Sequence, residues 1–327
     1  MMKVGSAEAK PGSISYGAIR VQELCDGSSV LAPVGVISGS QTGPTLWIQA
    51  TSHGEELLGA AAISKLFQSV RPAELKGTVV ALPVVNVVGF TLRERFSPVD
   101  GMDLNRVWPG AEPQSVMNIR SHSEVVVHEI SKEIKRNAQY LLDLHDGGYD
   151  LDHAPFCGYF TNTGDKELDT KTSEIALASG MTVLCPAQPK SDILQKTIPG
   201  SVRTFTAREG IPAVTLEVAD VDHHLLGITN IMRYLGMMPG SPKKLGDQIQ
   251  LSGERWVRSN RGGILWAKVR VLDKVSRGQP VATVTSLFGE TIDDINSPVD
   301  GIVSGIKKSP GLVNMGEYVV NLGVFQA

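Results

Sequence analysis

Two hydrophobic periodicities follow one another along most of the chain. Residues 17–38 alternate apolar and polar positions on either side of the turn sequence DGSS, which predicts a β-hairpin. The segment TLWIQAT at residues 45–51 is apolar enough for a buried strand. After it, apolar positions recur at the spacing of a helix, at Gly59, Ala62, Ile63, Leu66, Phe67 and Val70. The pattern therefore predicts a hairpin, a strand and a helix in that order.

The change from strand spacing to helix spacing repeats as far as about residue 238. The segments that predict further strands are GTVVALPVV, AQYLLDLH, MTVLC and IPAVTLEVA. The segments that predict further helices are EVVVHEISKEIKR, TSEIALASG, SVRTFTAREG and HLLGITNIMRYLG. Alternation of this kind is typical of an α/β fold with a mixed, largely parallel sheet and helices on both faces.

The pattern changes between Pro242 and Ala327. Short apolar runs such as GILWAKVRVL, PVATVTS, GIVSGI and YVVNLG are separated by Gly, Pro, Asn and Asp, and none has helical spacing. This pattern of short apolar runs separated by turn residues predicts a small all-β domain. We therefore expect an α/β catalytic domain with an N-terminal β-hairpin at residues 1–240 and a β domain at residues 241–327.

Composition and charge limit the kind of partner. The chain has 327 residues and a formal net charge of −3, which gives no basic surface for nucleic acid or an anionic membrane. Its three cysteines lie far apart without CxxC spacing, as is typical of reduced thiols in the cytoplasm. The N-terminus lacks the apolar core of a signal peptide, and no segment has the length of a membrane span. We expect a cytoplasmic protein that acts on a small molecule.

Titratable residues stand where three predicted strands end. TLWIQAT leads into His53 and Glu56, YLLDLH ends on His145, and AVTLEV contains Glu217. Ligands of open α/β sheets bind beyond the carboxyl ends of the strands, so these side chains are expected to meet. Two histidines and one carboxylate, with a fourth position left to water, form a catalytic zinc site. Glu217 is then the candidate to take a proton from that water.

A second group of polar residues lies in the segment LRERFSPVDGMDLNRVWPG. Asn105 and Arg106 offer an amide and a guanidinium fork, which suit the capture of a carboxylate. Arg93 and Arg95 are candidates to place a positive charge beside the oxygen of a carbonyl under attack.

Each of these residues also has a structural explanation when it is taken alone. His53 and Glu56 fit a turn at the start of a helix. His145 fits a hydrogen-bonded histidine at a strand end, and Glu217 fits a buried acid with a partner. Arg106 fits an ion pair with Asp103. The residues point to one site only when they are taken together.

In order, spacing and position, the set resembles the succinylglutamate desuccinylase and aspartoacylase family, relatives of the zinc carboxypeptidases. The family's HG(N)E motif corresponds to His53, Gly54 and Glu56, and its DLH motif to residues 143–145. Its DLNRxFPG motif appears as DLNRVWPG, and its GIPAxTxE motif as GIPAVTLE. The resemblance spans most of the chain, and DLNR followed by DLH is a highly specific combination.

The resemblance implies a role for each matching residue. His53, Glu56 and His145 would bind one Zn²⁺ per chain, and Glu217 would be the general base. Asp143 would orient a ligand, as outer residues of metal sites commonly do.

The resemblance also implies substrate contacts and an activity. Asn105 and Arg106 would hold the substrate carboxylate, and Arg95 would support the oxyanion. The implied activity is zinc-dependent removal of an acetyl or succinyl group from an N-acyl amino acid. A zinc carboxypeptidase for small peptides and a non-catalytic metal-binding scaffold remain alternatives. A homo-oligomer is a further family-level expectation.

The segment DLHDGGYDLDHAPFCGYF resembles the family's deacetylase branch, which acts on N-acetylated diaminobutyrate. Asp146 stands where a small residue is expected, and two interpretations remain open for it. It either meets a cationic amine of the substrate or caps a turn. His153 is a candidate to line the pocket, while Arg203 and Arg208 either contribute to acyl recognition or lie on a helix surface.

The C-terminal segment resembles the barrel-sandwich fold of lipoyl and biotin carriers, notably in SPVDGIV. Those carriers need a lysine at a hairpin tip, and residues 288–296 contain none. We therefore expect a domain that packs against the site or shapes it. Lys307 and Lys308 follow the motif and are expected to be solvated charges.

Overall fold

The computed structural model describes residues 1–111, 121–189 and 200–325. Its strands are Met2–Val4 (β1), Ala7–Ala9 (β2), Ser13–Glu23 (β3), Ser29–Ser38 (β4), Gln41–Ala50 (β5), Lys76–Leu82 (β6), Tyr140–His145 (β7), Leu151–His153 (β8), Phe156–Phe160 (β9), Val183–Ala187 (β10), Ala213–Glu217 (β11), Ile249–Arg258 (β12), Gly263–Ala267 (β13), Lys274–Val275 (β14), Pro280–Thr285 (β15), Thr291–Asn296 (β16), Gly301–Lys307 (β17), Gly311–Val313 (β18) and Tyr318–Phe325 (β19). Its α-helices are Leu58–Ser69 (α1), Val87–Leu92 (α2), His122–Asn137 (α3), Lys166–Ala178 (α4), Val202–Arg208 (α5) and Val221–Tyr234 (α6). Short 3₁₀ turns span Pro72–Glu74 and Leu104–Arg106.

A large mixed sheet forms the centre of the molecule. Its strand order is β14-β17-β19-β12-β10-β9-β11-β7-β5-β6-β4-β3, with β8 paired to β17. Strands β6, β5, β7 and β11 run parallel to one another, and β9, β10 and β12 form a second parallel group. The antiparallel pair β9 and β11 joins the two groups. The predicted mixed α/β fold is therefore confirmed.

Apolar residues cover both faces of this sheet because alternate side chains of a strand point to opposite sides. On β5, Trp47 joins a buried cluster that includes residues of α3 and α5. Its neighbours Leu46 and Ile48 join a second cluster with residues of α1, α4 and α6. Helices thus lie on both faces, as the continuous apolar runs of the central strands predict.

The structure contains the helices and strands that the sequence predicts, together with several further elements. The hairpin around DGSS is β3 and β4, paired from Ser13 with Ser38 to Glu23 with Ser29. Elements that no sequence pattern had indicated include α2, β9, β12 and β16. None of the described helices combines the length and the hydropathy that a membrane crossing needs.

The C-terminal strands connect to the central sheet through β12. This strand pairs parallel to β10 at Val183 with Ile249, and antiparallel to β19. A separate sheet of four strands has the order β16-β15-β13-β18. Residues of these C-terminal strands form a buried cluster of their own, which includes Leu265, Val284 and Leu322. No helix is present between residues 242 and 325, as the sequence predicted.

Candidate metal centre and substrate cleft

The first turn after β5 brings His53 and Glu56 to the edge of the sheet. Thr51 has a φ of 55°, which is an unfavourable conformation for a β-branched residue, and its hydroxyl donates to the Glu56 carbonyl at 2.9 Å. Gly54 packs against the backbone of Gly89, where an added Cβ would lie 2.1 Å from the carbonyl carbon. The glycine of the HGEE sequence is therefore required by close backbone packing next to the site.

Three buried side chains converge at this edge. His53 Nδ1 lies 2.8 Å from one oxygen of Glu56, and His145 Nδ1 lies 2.7 Å from the other. One ligand atom from each of the three residues lies within 4.8 Å of the others. The structure thus brings together His53, Glu56 and His145, the set that the sequence indicated.

Polar residues outside the triad contact the Nε2 atom of each imidazole ring, on the side away from Glu56. Asp143 Oδ2 lies 2.8 Å from His145 Nε2, and Gln49 Nε2 donates to Asp143 Oδ1 at 3.1 Å. Asp103 Oδ1 lies 3.3 Å from His53 Nε2. Carboxylates bonded to the second nitrogen of a ligating histidine fix the ring and its tautomer. The sequence indicated Asp143 but neither Asp103 in this role nor Gln49, which comes into place through strand pairing.

The electrostatics of the centre favour positive charge. Burial lowers the pKa of His145, but the carboxylates of Asp143 and Glu56 raise it more strongly, so that it stands well above its ordinary value. Burial raises the pKa of Glu56, whereas His145 and His53 lower it well below its usual range. The nearby ionised acids therefore stabilise a cation between the rings. Two imidazole nitrogens and a carboxylate also form a donor set that suits catalytic zinc, so the residues fit this ion.

Glu217 lies next to the centre. It is the register partner of His145 on the neighbouring parallel strand, and Thr215 pairs with Asp143 in the same ladder. Paired residues of adjacent strands present their side chains to the same face. Glu217 is partly buried and lines the same cleft as the two histidines.

Arg95 reaches the centre from the segment that follows α2. Its Nη1 lies 3.6 Å from Glu56 Oε1 and 3.7 Å from Glu55 Oε1, and its Nη2 lies 4.0 Å from Asp103 Oδ2. A guanidinium in this position places positive charge at the mouth of the metal centre.

Asn105 and Arg106 also line the cleft, in the short 3₁₀ turn of the DLNR motif. Asn105 is buried, accepts a hydrogen bond from the Val202 backbone at 3.0 Å and places its Nδ2 at 3.3 Å from His145 Nε2. Arg106 is exposed and donates to the Asn105 carbonyl at 2.9 Å. Its Nη1 is only loosely associated with Asp103, at 4.0 Å, so the guanidinium remains available to an anion in the cleft.

Asp146 caps a helix. Its Oδ2 accepts from the backbone nitrogen of Leu58, the first residue of α1, at 2.6 Å, and its Oδ1 accepts from Gly148 at 2.9 Å. Burial, with a smaller contribution from Glu56, raises its pKa to about 6. Both carboxylate oxygens are occupied by backbone donors, and the side chain does not line the cleft. Of the two interpretations of Asp146, the structure favours capping.

The cleft beside the metal centre has a volume of about 500 Å³. His153 and Arg203 line it, whereas Arg208 does not. Much of its wall comes from the C-terminal strands, through Glu254, Trp256, Ser304, Lys307, Glu317, Tyr318 and Asn321. No motif in the sequence indicated these residues.

The expectation of a solvated Lys307 is wrong. Its side chain is 5% exposed, and its Nζ lies 3.2 Å from Asp150 and 3.0 Å from Glu317. These two acids satisfy an ammonium that strand β17 carries into the interior. Lys308, in contrast, is exposed as expected, and its Nζ donates to the Gly148 carbonyl at 3.1 Å.

Comparison with known proteins identifies relatives of the whole chain. The sequence model of the succinylglutamate desuccinylase/aspartoacylase catalytic domain matches residues 42–235, which is more than half of the chain. The N-α-acetyl-L-2,4-diaminobutyric acid deacetylase of Halomonas elongata is 26% identical over 320 residues, which cover 94% of this chain and 90% of that protein.

Solved structures show the same fold. An aspartoacylase family protein from Mesorhizobium loti is 25% identical and superposes with a TM-score of 0.81 over the full length of both chains. The product-bound ectoine utilization protein EutE of Ruegeria pomeroyi is 20% identical, with a TM-score of 0.82 over 98% of this chain and 100% of that one.

Proposed function

Because the chain belongs to the succinylglutamate desuccinylase/aspartoacylase family, we propose that it is a zinc-dependent amidohydrolase that removes a short acyl group from an N-acyl amino acid. One observation carries this proposal: the buried triad of His53, Glu56 and His145 has Glu217 beside it, in register with His145. A metal site with an adjacent carboxylate that is not a ligand is the arrangement that metal-assisted hydrolysis requires.

The two imidazole Nδ1 atoms and the Glu56 carboxylate would hold one zinc ion. When bound, zinc lowers the pKa of a water molecule and polarises a carbonyl oxygen. Glu217 accepts a proton from the water that attacks the amide carbonyl, and later donates it to the leaving amine nitrogen. Arg95 stabilises the negative charge that develops on the carbonyl oxygen.

Asn105 and Arg106 would bind the carboxylate of the substrate. The 3₁₀ turn holds them at the edge of the cleft, where a planar guanidinium can form two hydrogen bonds to a carboxylate. The relationship to the Halomonas elongata deacetylase makes an N-acetylated diamino acid the first substrate to test.

The division of the chain belongs to the same proposal. Residues 1–240 would form the catalytic domain, and residues 241–327 a β domain of the barrel-sandwich type that shapes the cleft. The separate buried cluster of the C-terminal strands supports this division, as do the cleft residues that these strands supply. The free state of Cys25, Cys157 and Cys185 supports a cytoplasmic enzyme.

A substrate panel tests the proposed reaction. Zinc-loaded protein is mixed with N-acetyl and N-succinyl amino acids, including N-α-acetyl-2,4-diaminobutyrate, and with dipeptides, and the release of free amine is measured. A chelator-treated sample is the control. We expect zinc-dependent release from at least one N-acyl amino acid. Hydrolysis of the dipeptides alone would identify a carboxypeptidase and contradict the proposal.

A further inference from the structure

The cleft is lined by six carboxylates. Five of them either have a proposed catalytic role or lie close to a positively charged side chain. Glu56 belongs to the metal centre and Glu217 is the proposed base. Glu55 lies 3.7 Å from Arg95. Lys307 forms ion pairs with Asp150 at 3.2 Å and with Glu317 at 3.0 Å. The six are Glu55, Glu56, Asp150, Glu217, Glu254 and Glu317.

Glu254 is the exception among them, because its partners are neutral. The side-chain amide of Asn321 donates to one of its oxygens, and the Cys185 thiol lies 3.4 Å from the other. Burial and the neighbouring Glu254 raise the pKa of Cys185, so the thiol stays protonated as a neutral donor. Within residues 1–111, 121–189 and 200–325, Glu254 forms no ion pair with any lysine, arginine or histidine. The Glu254 carboxylate therefore lines the cleft without a direct ion-pair partner among the described residues.

The residues around Glu254 suit an organic cation. Trp256 stands two positions further along β12, so it lies on the same face of the strand as Glu254, and both line the cleft. The Trp256 ring packs against Tyr318 with 4.7 Å between centroids and stays 42% exposed. An accessible tryptophan ring attracts alkylammonium groups, which adds to the attraction of a carboxylate.

Positive side chains also line this cleft. Arg106 is available to a substrate carboxylate, and Arg203 lies over the ring of Phe160 at 4.7 Å from its centroid. Arg203 forms no ion pair with Glu254 in the described parts of the chain. Asp146, the other acid that could have met an amine, is occupied by the cap of α1. A molecule with both a carboxylate and an ammonium would therefore find a partner for each charge.

We propose that Glu254, oriented by Asn321 and flanked by Trp256, binds the side-chain ammonium of the substrate and so selects N-acyl diamino acids. This inference rests on the proposed deacylase function and adds the residue that determines the substrate class. The specificity residue comes from the C-terminal strands, which explains why these strands enter the wall of the catalytic cleft.

The test compares two substrates of nearly equal shape. N-α-acetyl-2,4-diaminobutyrate carries an ammonium where N-acetylnorvaline carries a methyl group. We expect the wild-type enzyme to prefer the cationic substrate by about tenfold or more in kcat/KM. Glu254→Gln keeps the side-chain shape but removes the charge, and should remove most of this preference, a change of about tenfold. Glu290→Gln removes the same charge from an exposed turn outside the cleft and should keep the wild-type preference.

Binding of the free amino acids separates this inference from the reaction on which it rests. Calorimetry on the zinc-loaded protein compares 2,4-diaminobutyrate with norvaline, for the wild type and for Glu254→Gln. Preferential binding of diaminobutyrate that disappears in the variant would support the ammonium site even if no substrate were hydrolysed. Hydrolysis with an unchanged preference in Glu254→Gln would leave the deacylase intact and overturn the ammonium site. The absence of both turnover and preferential binding would overturn both proposals.

Discussion

Glu217 and His145 are register partners on the neighbouring parallel strands β11 and β7. Their side chains therefore emerge on the same face of the sheet, at the end where the metal centre lies. His145 is tied to Glu56 and Asp143, whereas Glu217 lines the open cleft. This geometry supports the proposal that His145 holds a metal ion and that Glu217 exchanges protons with bound substrate.

The first prediction concerns the proposed base. Glu217→Gln keeps the shape of the side chain but cannot accept a proton, so we expect turnover to fall by about 100- to 10,000-fold. Zinc content, measured by elemental analysis, should stay at the wild-type value because the proposed ligands are His53, Glu56 and His145. Glu167→Gln, on the exposed surface of α4, serves as the control and should keep its activity. A fully active Glu217→Gln enzyme would remove this residue from the mechanism.

The second prediction concerns the carboxylate clamp. Arg106→Ala removes an exposed guanidinium at the cleft edge and should raise the KM for a carboxylate substrate about 10- to 100-fold, with a smaller change in kcat. Arg136→Ala, on the exposed side of α3, provides a matched loss of charge. Steady-state kinetics of both variants are measured with an N-acyl amino acid and with its carboxamide, which lacks the carboxylate charge. An unchanged KM for the carboxylate substrate would contradict the role of Arg106.

Short motifs in the sequence were enough to indicate the metal centre. His53, Glu56 and His145 each follow a strong strand signal, and the parallel order of the strands brings their ends together. The DLNR motif likewise lies in the cleft, with Asn105 next to His145. Local patterns succeed here because the strand ends of a parallel sheet meet at one edge.

The far wall of the cleft could not be predicted in this way. Glu254 and Trp256 reach it only because β12 pairs with β10 and β19, and such long-range pairing leaves no local signal. The burial of Lys307 depends on the carboxylates of Asp150, which is 157 residues away in sequence, and of Glu317, which lies just before β19. Its position after the SPVDGIV motif suggested a solvated charge, and only the folded chain shows its partners.

The third prediction follows from the burial of Lys307. Lys307→Met leaves the carboxylate of Glu317 without its cation, and we expect the free energy of unfolding to fall by about 1–3 kcal/mol. The loss is limited because the Asp150 side chain is largely exposed and stays hydrated when Lys307 is removed. Denaturant unfolding measures the change. The neighbouring exposed variant Lys308→Met should lose less than about 0.5 kcal/mol, and an equal loss in both variants would show that burial of Lys307 contributes nothing specific.

The fourth prediction concerns acid stability and Asp100. Its carboxylate accepts from the Ser123 backbone and hydroxyl, both at 2.8 Å, in the first turn of α3. Burial opposes ionisation, but these hydrogen bonds hold the pKa of Asp100 below its ordinary value of 3.8. Because the pKa is lower in the folded state, this stabilisation is fully present above pH 3.8 and is lost as the pH falls through the folded value.

Comparison of the wild type with Asp100→Asn isolates this effect. We expect the variant to be less stable by about 1 kcal/mol near neutral pH, because a charged acceptor at a helix N-terminus is lost. The difference in unfolding free energy should shrink as the pH falls below 3.8. A difference that stays constant over this range would show that the Asp100 charge does not stabilise α3.

We propose that one zinc ion, held by His53, Glu56 and His145, enables hydrolysis of an N-acyl amino acid. The most direct test is to titrate metal-free protein with zinc and to follow the release of amine from N-α-acetyl-2,4-diaminobutyrate. We predict that activity rises linearly and reaches its plateau at one equivalent of zinc per chain, and that His145→Ala abolishes the rise. Full activity of the metal-free protein, or a zinc-dependent rise in activity that persists in His145→Ala, would contradict a catalytic zinc ion bound by these three residues.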